Sequence, residues 1–375
     1  MSYYSIMIKP ASSLCNLRCK YCFYADVAGI RDVPSYGVMK DETMRAMLRN
    51  VEQSLTPGDQ VTFAFQGGEP TLAGLDYFRK FVSITRQWDR SVRVSYALQT
   101  NATLINEEWC RFLKEHHFLV GVSYDILQDC HDATRVDIKN GETSKRVETA
   151  LQLLEQYGVE YNVLCTLTNQ VARHPKQVWN RIKQMDLKFV QFTPCLGELD
   201  KPGESIYALT PKRFASFYNQ LFHDWYEDYR QNRYRSIKLF DDVVNYMAFG
   251  IPGVCGMGGR CQPQLVVEGD GSVYPCDFYC LDEYKLGNLT EDGLKQLLSA
   301  PEMRAFHFRE HTQPELCKEC DLKRFCGGGC RRMQREVCCA EDSTYCGYGD
   351  FIRMNLSALQ SIAYNERQFS LRNRS

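Results

Sequence analysis

Eighteen cysteines fall in this 375-residue chain, and their spacing constrains it more than any other feature. Cys15, Cys19 and Cys22 form an early C-x3-C-x2-C group. Cys255, Cys261, Cys276 and Cys280 form a middle group, and Cys317, Cys320, Cys326, Cys330, Cys338, Cys339 and Cys346 crowd the C-terminal end. Cys110, Cys130, Cys165 and Cys195 are scattered and read as small buried apolar residues. Disulfide scaffolds are usually short, whereas a chain of this length buries a core without staples. Met1-Ser2-Tyr3-Tyr4-Ser5 has neither the basic region nor the apolar run of a signal peptide. No stretch approaches the roughly 20 apolar residues of a membrane span. A cytoplasmic protein with reduced thiols is expected, and there clustered cysteines bind metal or carry redox chemistry. The formal net charge of −1 lacks the basic excess of a general nucleic-acid binder.

Around the cysteines, strand-like runs rich in Val, Ile, Phe, Tyr and Leu alternate with amphipathic stretches. Strands are expected at 4–9, 61–66, 94–99, 118–123, 160–166 and 189–193, and helices at 41–54, 74–88, 106–116, 144–157 and 175–185. Six such units imply right-handed crossovers and a parallel sheet. The polar motifs sit at the C-terminal ends of the strands: Cys15–Cys22 after the first, Gln66 to Pro70 after the second, Gln99 to Asn101 after the third, Ser123 after the fourth. That is where a (β/α) barrel gathers its active site, so the expected fold is α/β, a partial (β/α)6 TIM-like barrel. The expected division is 1–195 for the barrel, 196–254 for a helical bridge, 255–350 for a cysteine-rich domain and 351–375 for a closing helix and fraying tail. A hairpin is expected at 264–268 and 272–274, around Gly269-Asp270-Gly271.

The first group supplies three thiolates on one tight loop. Iron–sulfur cubanes are held by cysteine thiolates, normally four, so three leave one iron open. An open position separates a catalytic metal centre from a closed structural one. Zinc is the rival, but it needs a fourth ligand and no His lies nearby. Cys15-Asn16-Leu17-Arg18-Cys19-Lys20-Tyr21-Cys22-Phe23-Tyr24 resembles the signature of the radical S-adenosylmethionine (SAM) enzymes, including the aromatic before the third Cys. Gln66-Gly67-Gly68-Glu69-Pro70, alone no more than a turn, is similar to that family's GGE motif. The resemblance implies that SAM binds the open iron and that Gln66, Gly67, Gly68, Glu69, Ser123 and Arg135 bind SAM. Glu69 would accept from its ammonium, and Arg135 would pair its carboxylate.

The C-terminal spacing, Cys261-x9-Gly271-x4-Cys276, then Cys317-x2-Cys320-x5-Cys326-x3-Cys330, then Cys346, is similar to the SPASM extension of radical SAM enzymes that modify peptides and proteins. With Cys255 this offers eight thiolates. The resemblance implies two auxiliary [4Fe–4S] clusters, one on Cys255, Cys261, Cys276 and Cys330, the other on Cys317, Cys320, Cys326 and Cys346, hence three [4Fe–4S] clusters in all. Cys280, Cys338 and Cys339 lie close enough to compete, and zinc remains the rival at the second site.

Ile8-Lys9-Pro10-Ala11-Ser12-Ser13, Phe63 to Pro70, Leu98-Gln99-Thr100-Asn101 and Tyr274-Pro275-Cys276-Asp277-Phe278-Tyr279 resemble one subfamily, the anaerobic sulfatase-maturating enzymes. That resemblance implies oxidation of a Cys or Ser in an unfolded sulfatase polypeptide to Cα-formylglycine. Asp277 would be the general base, Tyr24, Gln66 and Gln99 would line the peptide site, and a flavodoxin or ferredoxin would supply electrons; no membrane or nucleic acid is involved. Two departures stand near the SAM site. Ile126-Leu127 follows Ser123-Tyr124-Asp125 where relatives usually have Gly-Pro, and Ala102 stands where they often have Gly. The rival functions are another peptide maturase that makes crosslinks and, in a different class, a zinc-binding scaffold.

Overall fold

The computed structural model describes residues 1–372 apart from 202, 310–312 and 340–343. The last residues, 373–375, expected to fray, lie outside the described residues. The strands are β1 (Tyr3–Ile8), β2 (Leu17–Cys19), β3 (Gln60–Phe65), β4 (Arg93–Thr100), β5 (Leu119–Ser123), β6 (Arg135–Asp137), β7 (Tyr161–Leu167), β8 (Phe189–Pro194), β9 (Ser236–Ile237), β10 (Leu265–Val267), β11 (Ser272–Tyr274) and β12 (Gly287–Asn288). All six expected strands are present, within a residue or two of their expected ends. The chain divides into two compact units: Met1–Tyr124, Asp132–Tyr161 and Pro263–Arg309; and Asp125–His131, Asn162–Gln262 and Glu310–Ser375.

In the first unit β1, β3, β4 and β5 run parallel, in register Ile6↔Phe63, Phe63↔Tyr96 and Gln99↔Gly121. Alternation in β3 turns Val61, Phe63 and Phe65 inward. Phe65 meets Phe78 and Phe81 edge-on at 4.9 Å, and each buried ring contributes roughly 1.5–3 kcal/mol. The helix Asp41–Ser54 buries Met44, Met47, Leu48 and Val51, the i, i+3, i+4, i+7 stripe of an amphipathic helix. Asn106 caps the helix Glu107–Glu115, its side chain accepting from the Trp109 amide at 3.0 Å.

Two features of this unit were not read from the sequence. Two three-residue strands, β2 and β6, pair antiparallel beside the first cysteines. The expected hairpin is present as β10 and β11, but β10 also joins β1 in parallel, Ile6 opposite Leu265. The strands β10, β11 and β12 therefore extend the N-terminal sheet.

In the second unit β7, β8 and β9 run parallel. The helices Pro211–Arg230, Lys238–Phe249 and Gly347–Arg372 meet through an aromatic core. Phe222 lies edge-on to Phe240 at 5.1 Å, and Phe240 stacks on Phe351 at 5.8 Å. The expected closing helix is therefore present and longer than its pattern indicated. Cys110, Cys130, Cys165 and Cys195 are all buried, as expected. No helix among the described residues is long and apolar enough to cross a membrane.

Candidate active site

The loop that carries Cys15 is clamped to the end of β3. Gly68 N donates to Ser12 O at 2.8 Å and Glu69 N to Leu14 O at 2.7 Å. Such close approach demands glycine. A Cβ on Gly68 would lie 2.1 Å from Leu14 O, and one on Gly67, at φ +111°, would lie 2.8 Å from Ser12 O. Cys15 and Cys22 are near enough to interact electrostatically. The Cys15 sulfur accepts from the Leu17 amide at 3.3 Å and Asn101 Nδ2 at 3.8 Å. Burial pushes its thiol up to about 11, with the Leu17 amide working against the shift. A bound metal is what would make it a thiolate at neutral pH. Three sulfurs on one turn, with amide donors aimed at one of them, fit a cubane with one open iron.

Glu69 is buried and braces two strand ends. Its Oε1 accepts from Thr71 N at 3.1 Å and from the Thr71 and Thr100 hydroxyls at 2.7 Å; Oε2 accepts from Asn101 N at 2.7 Å. Burial raises its pKa and these donors oppose the rise. By lone-pair count Oε2 keeps room for another donor, such as an ammonium. Arg135 is brought to the cluster loop by the β2–β6 pairing, directly opposite Cys19, with its guanidinium carbon 5.4 Å from the centre of the Tyr21 ring. Ser123 is buried at the end of β5, and Gln99 is half-buried on β4. Asn101, named in the sequence at this strand end but given no role there, reaches both Cys15 and Asn16, donating to Asn16 Oδ1 at 2.9 Å.

A second cluster of side chains surrounds Asp277. The Tyr24 hydroxyl donates to Asp277 Oδ2 at 2.6 Å and lies 3.3 Å from Gln66 Oε1. Lys9 Nζ stands 3.3 Å from Asp277 Oδ1, 3.5 Å from Glu268 Oε1 and 3.2 Å from the Cys280 sulfur to which it donates. Asp277 Oδ1 has no hydrogen-bond donor among the described residues. Glu268 is in turn bound by Arg31 at 2.5 Å and Ser12 Oγ at 2.8 Å. Burial works against the Lys9 charge, but Cys280, Asp277 and Glu268 outweigh it and hold Lys9 above its ordinary range. Burial lifts the Tyr24 phenol too, reinforced by the Asp277 carboxylate. Burial pushes the Cys280 thiol up to about 12, and the Lys9 ammonium beside it works against the rise. Lys9, Arg31 and Glu268 were not read as site residues. A charged residue closing an apolar strand marks two of them, Lys9 after Ile8 and Glu268 after Val267.

The remaining cysteines also gather. In the second unit Cys255 is hydrogen-bonded to Cys261 and faces Cys330. Cys276, the fourth thiol expected with them, lies in the first unit after β11. Cys317, Cys320, Cys326 and Cys346 line one cavity of the second unit. Cys338 lines it too, and Cys339 lies 3.9 Å from Cys317.

Residues 10–176 match the radical SAM superfamily model, and residues 255–321 match SPASM, an iron–sulfur cluster-binding domain. The chain is 41% identical to the cysteine-type anaerobic sulfatase-maturating enzyme of Clostridium perfringens over 96% of its own length and 98% of the relative's. It is 29% identical to the serine-type enzyme of Bacteroides thetaiotaomicron, over 87% of this chain and 82% of that one. Native anSMEcpe with bound AdoMet and Kp18Cys peptide superposes with a TM-score of 0.88 at 40% identity, covering 97% of this chain and 100% of that one. The fold is thus the TIM-like radical SAM fold with a C-terminal SPASM domain, and its cofactors are [4Fe–4S] clusters and S-adenosylmethionine. By sequence and by structure, this chain belongs to the anaerobic sulfatase-maturating enzymes of the radical SAM superfamily.

Proposed function

We propose that this enzyme oxidises a cysteine of an unfolded sulfatase polypeptide to Cα-formylglycine, with Asp277 as the base. The observation that carries the assignment of roles is the pair of fixed contacts on Asp277. Tyr24 occupies Oδ2 and Lys9 stands beside Oδ1, which has no hydrogen-bond donor among the described residues. Relatives of the cysteine type, at 38% to 41% identity, support cysteine as the target side chain.

Cys15, Cys19 and Cys22 would hold the catalytic cluster, and Glu69, Ser123 and Arg135, with the Gln66-Gly67-Gly68 backbone, would seat SAM beside it. Bound there, cluster and SAM together supply the radical that removes a hydrogen atom from the substrate Cβ. The protein's own contribution is proton transfer and placement. Asp277 Oδ1 takes the proton of the substrate thiol while Tyr24 fixes the plane of the carboxylate from its other oxygen; loss of the second electron leaves a thioaldehyde, which water hydrolyses to the aldehyde with release of hydrogen sulfide. Tyr24, Gln66 and Gln99 hold the peptide backbone at the strand ends. Cys255, Cys261, Cys276 and Cys330 would hold the first auxiliary cluster, and Cys317, Cys320, Cys326 and Cys346 the second. The adjacency of Asp277 to Cys276 supports the first as acceptor of the substrate's second electron. A small iron–sulfur or flavin protein would reduce the catalytic cluster.

Asp277→Asn is expected to keep 5′-deoxyadenosine formation within a few-fold of the unmodified enzyme. Aldehyde formation should fall about 100-fold or more, the scale of a lost general base. An unchanged ratio of aldehyde to 5′-deoxyadenosine would remove Asp277 from that role.

A further inference from the structure

The second auxiliary site holds more thiols than a cubane has corners. Cys317, Cys320, Cys326, Cys338 and Cys346 all line one cavity. The Cys338 side chain lies close enough to Cys326 and Cys346 to interact with both. This closeness is built into the backbone and needs no metal. Gly347 N donates to Cys338 O at 2.8 Å, which ties Cys338 to the residue after Cys346. The other side of Cys338 is fixed by the turn Gln334–Val337, whose Gln334 O accepts from Cys338 N at 2.8 Å. The Cys338 sulfur also lies 3.6 Å from Gly328 O, on the loop that follows Cys326. Cys339, by contrast, is turned away from the cavity lining and toward Cys317.

We propose that Cys338 is a reserve ligand of the second auxiliary cluster, able to take the iron corner that Cys346 otherwise holds. A cubane accepts any four thiolates that reach its corners. A sulfur on the cavity wall shared with the resident ligands, and tied through its backbone to the residue after Cys346, is placed to reach the same corner by a side-chain rotation. Among the described residues Cys320 has no such neighbour: its sulfur is 3.6 Å from Asp321 Oδ1 and 3.4 Å from Arg353, on the exposed side. The reserve therefore covers the Cys346 corner and leaves the Cys320 corner unprotected. The inference rests on the assignment of a [4Fe–4S] cluster to this site, and the metal analysis reports on that assignment separately.

The test is iron and acid-labile sulfide content after anaerobic reconstitution of the full chain, with circular dichroism as the check on folding. Three cubanes give about twelve irons per chain. Cys320→Ala should lose one cluster and fall to about eight, which validates the assignment; bound zinc, or no loss, would overturn that assignment itself. Cys346→Ala and Cys338→Ala should each keep about twelve irons, and the double variant Cys338→Ala/Cys346→Ala should fall to about eight. Loss of four irons in either single variant, or retention of twelve in the double, overturns the reserve. Cys346→Ser, the smallest perturbation of the fold, gives an independent reading by resonance Raman spectroscopy. The reserve predicts sulfur-only iron ligation, whereas an iron–oxygen stretch sensitive to 18O-serine labelling contradicts it.

Discussion

Lys9 is the residue whose role depends most on the folded structure. It is a buried ammonium shared by Asp277, Glu268 and Cys280. Removing one partner of a buried ion pair leaves the other charge uncompensated and commonly costs about 3–5 kcal/mol. Here Arg31 still holds Glu268, so Lys9→Met should cost less, about 2 kcal/mol in denaturant titration. It should also uncouple catalysis, lowering aldehyde formed per 5′-deoxyadenosine at least tenfold while SAM cleavage persists. Lys9→Arg should restore part of the coupling; equal coupling in Met and wild type would make Lys9 structural only. Glu268 gives a pH signature. Burial acts to raise its pKa, but Lys9 and Arg31 outweigh it and hold the value below 4.5 in the folded protein. A carboxylate depressed by folding stabilises above its unfolded pKa and loses that contribution as pH falls through the folded value. Wild type should therefore be more stable than Glu268→Gln at pH 7, with the gap narrowing below pH 4.5. A gap that widened in acid would reverse the assignment. The thiols of Cys15, Cys19 and Cys22 and the Gly67-Gly68-Glu69 turn were legible in the sequence because each is a local pattern. The Lys9–Asp277 contact was not, because 267 intervening positions hide it until β10 pairs with β1.

At the scale of elements, β10 is what completes the active site. Its parallel pairing with β1 sets Glu268 beyond the end of one strand beside Lys9 beyond the end of the other. The alternation of strands and helices could be read from period-2 and period-3.6 patterns over six units. The β10 addition could not, since a three-residue run, Leu265–Val267, fits a hairpin equally well with or without a parallel neighbour. The turn after β4 shows how a departure from the relatives is absorbed. Ala102 is buried at φ +59°, the left-handed conformation that glycine adopts without strain. Ile126, in the second unit, does the same at φ +60° and is fully buried. Both loops thus keep the conformation a glycine would take, at a cost of roughly 1–2 kcal/mol each for a side-chain-bearing residue. Ala102→Gly should gain about 1 kcal/mol and raise the melting temperature by a few degrees. A fall would mean that the Ala102 methyl packs well enough to outweigh its strain. At Ile126 the buried side chain offsets the strain, so glycine there should bring no comparable gain.

Across the whole molecule, stability is shared unevenly between apolar cores and thiol sites. The two aromatic cores carry the sheet and the long helices. The cysteine-rich stretch instead uses four-residue helices, Glu315–Lys318, Lys323–Cys326 and Gln334–Val337, too short to persist on their own. Metal binding is therefore folding energy there. Iron chelation should open residues 315–346 to limited proteolysis while the sheet of the first unit stays resistant; equal protection with and without iron would contradict this. The central claim is the conversion of a cysteine side chain to an aldehyde, and one anaerobic experiment addresses it. The reconstituted enzyme is given SAM, a reductant and a Cys-x-Pro-x-Arg peptide, and mass spectrometry follows 5′-deoxyadenosine and the peptide together. The account predicts aldehyde formation on the cysteine peptide, in step with 5′-deoxyadenosine. Release of 5′-deoxyadenosine with the peptide unchanged would keep the radical chemistry and contradict the substrate.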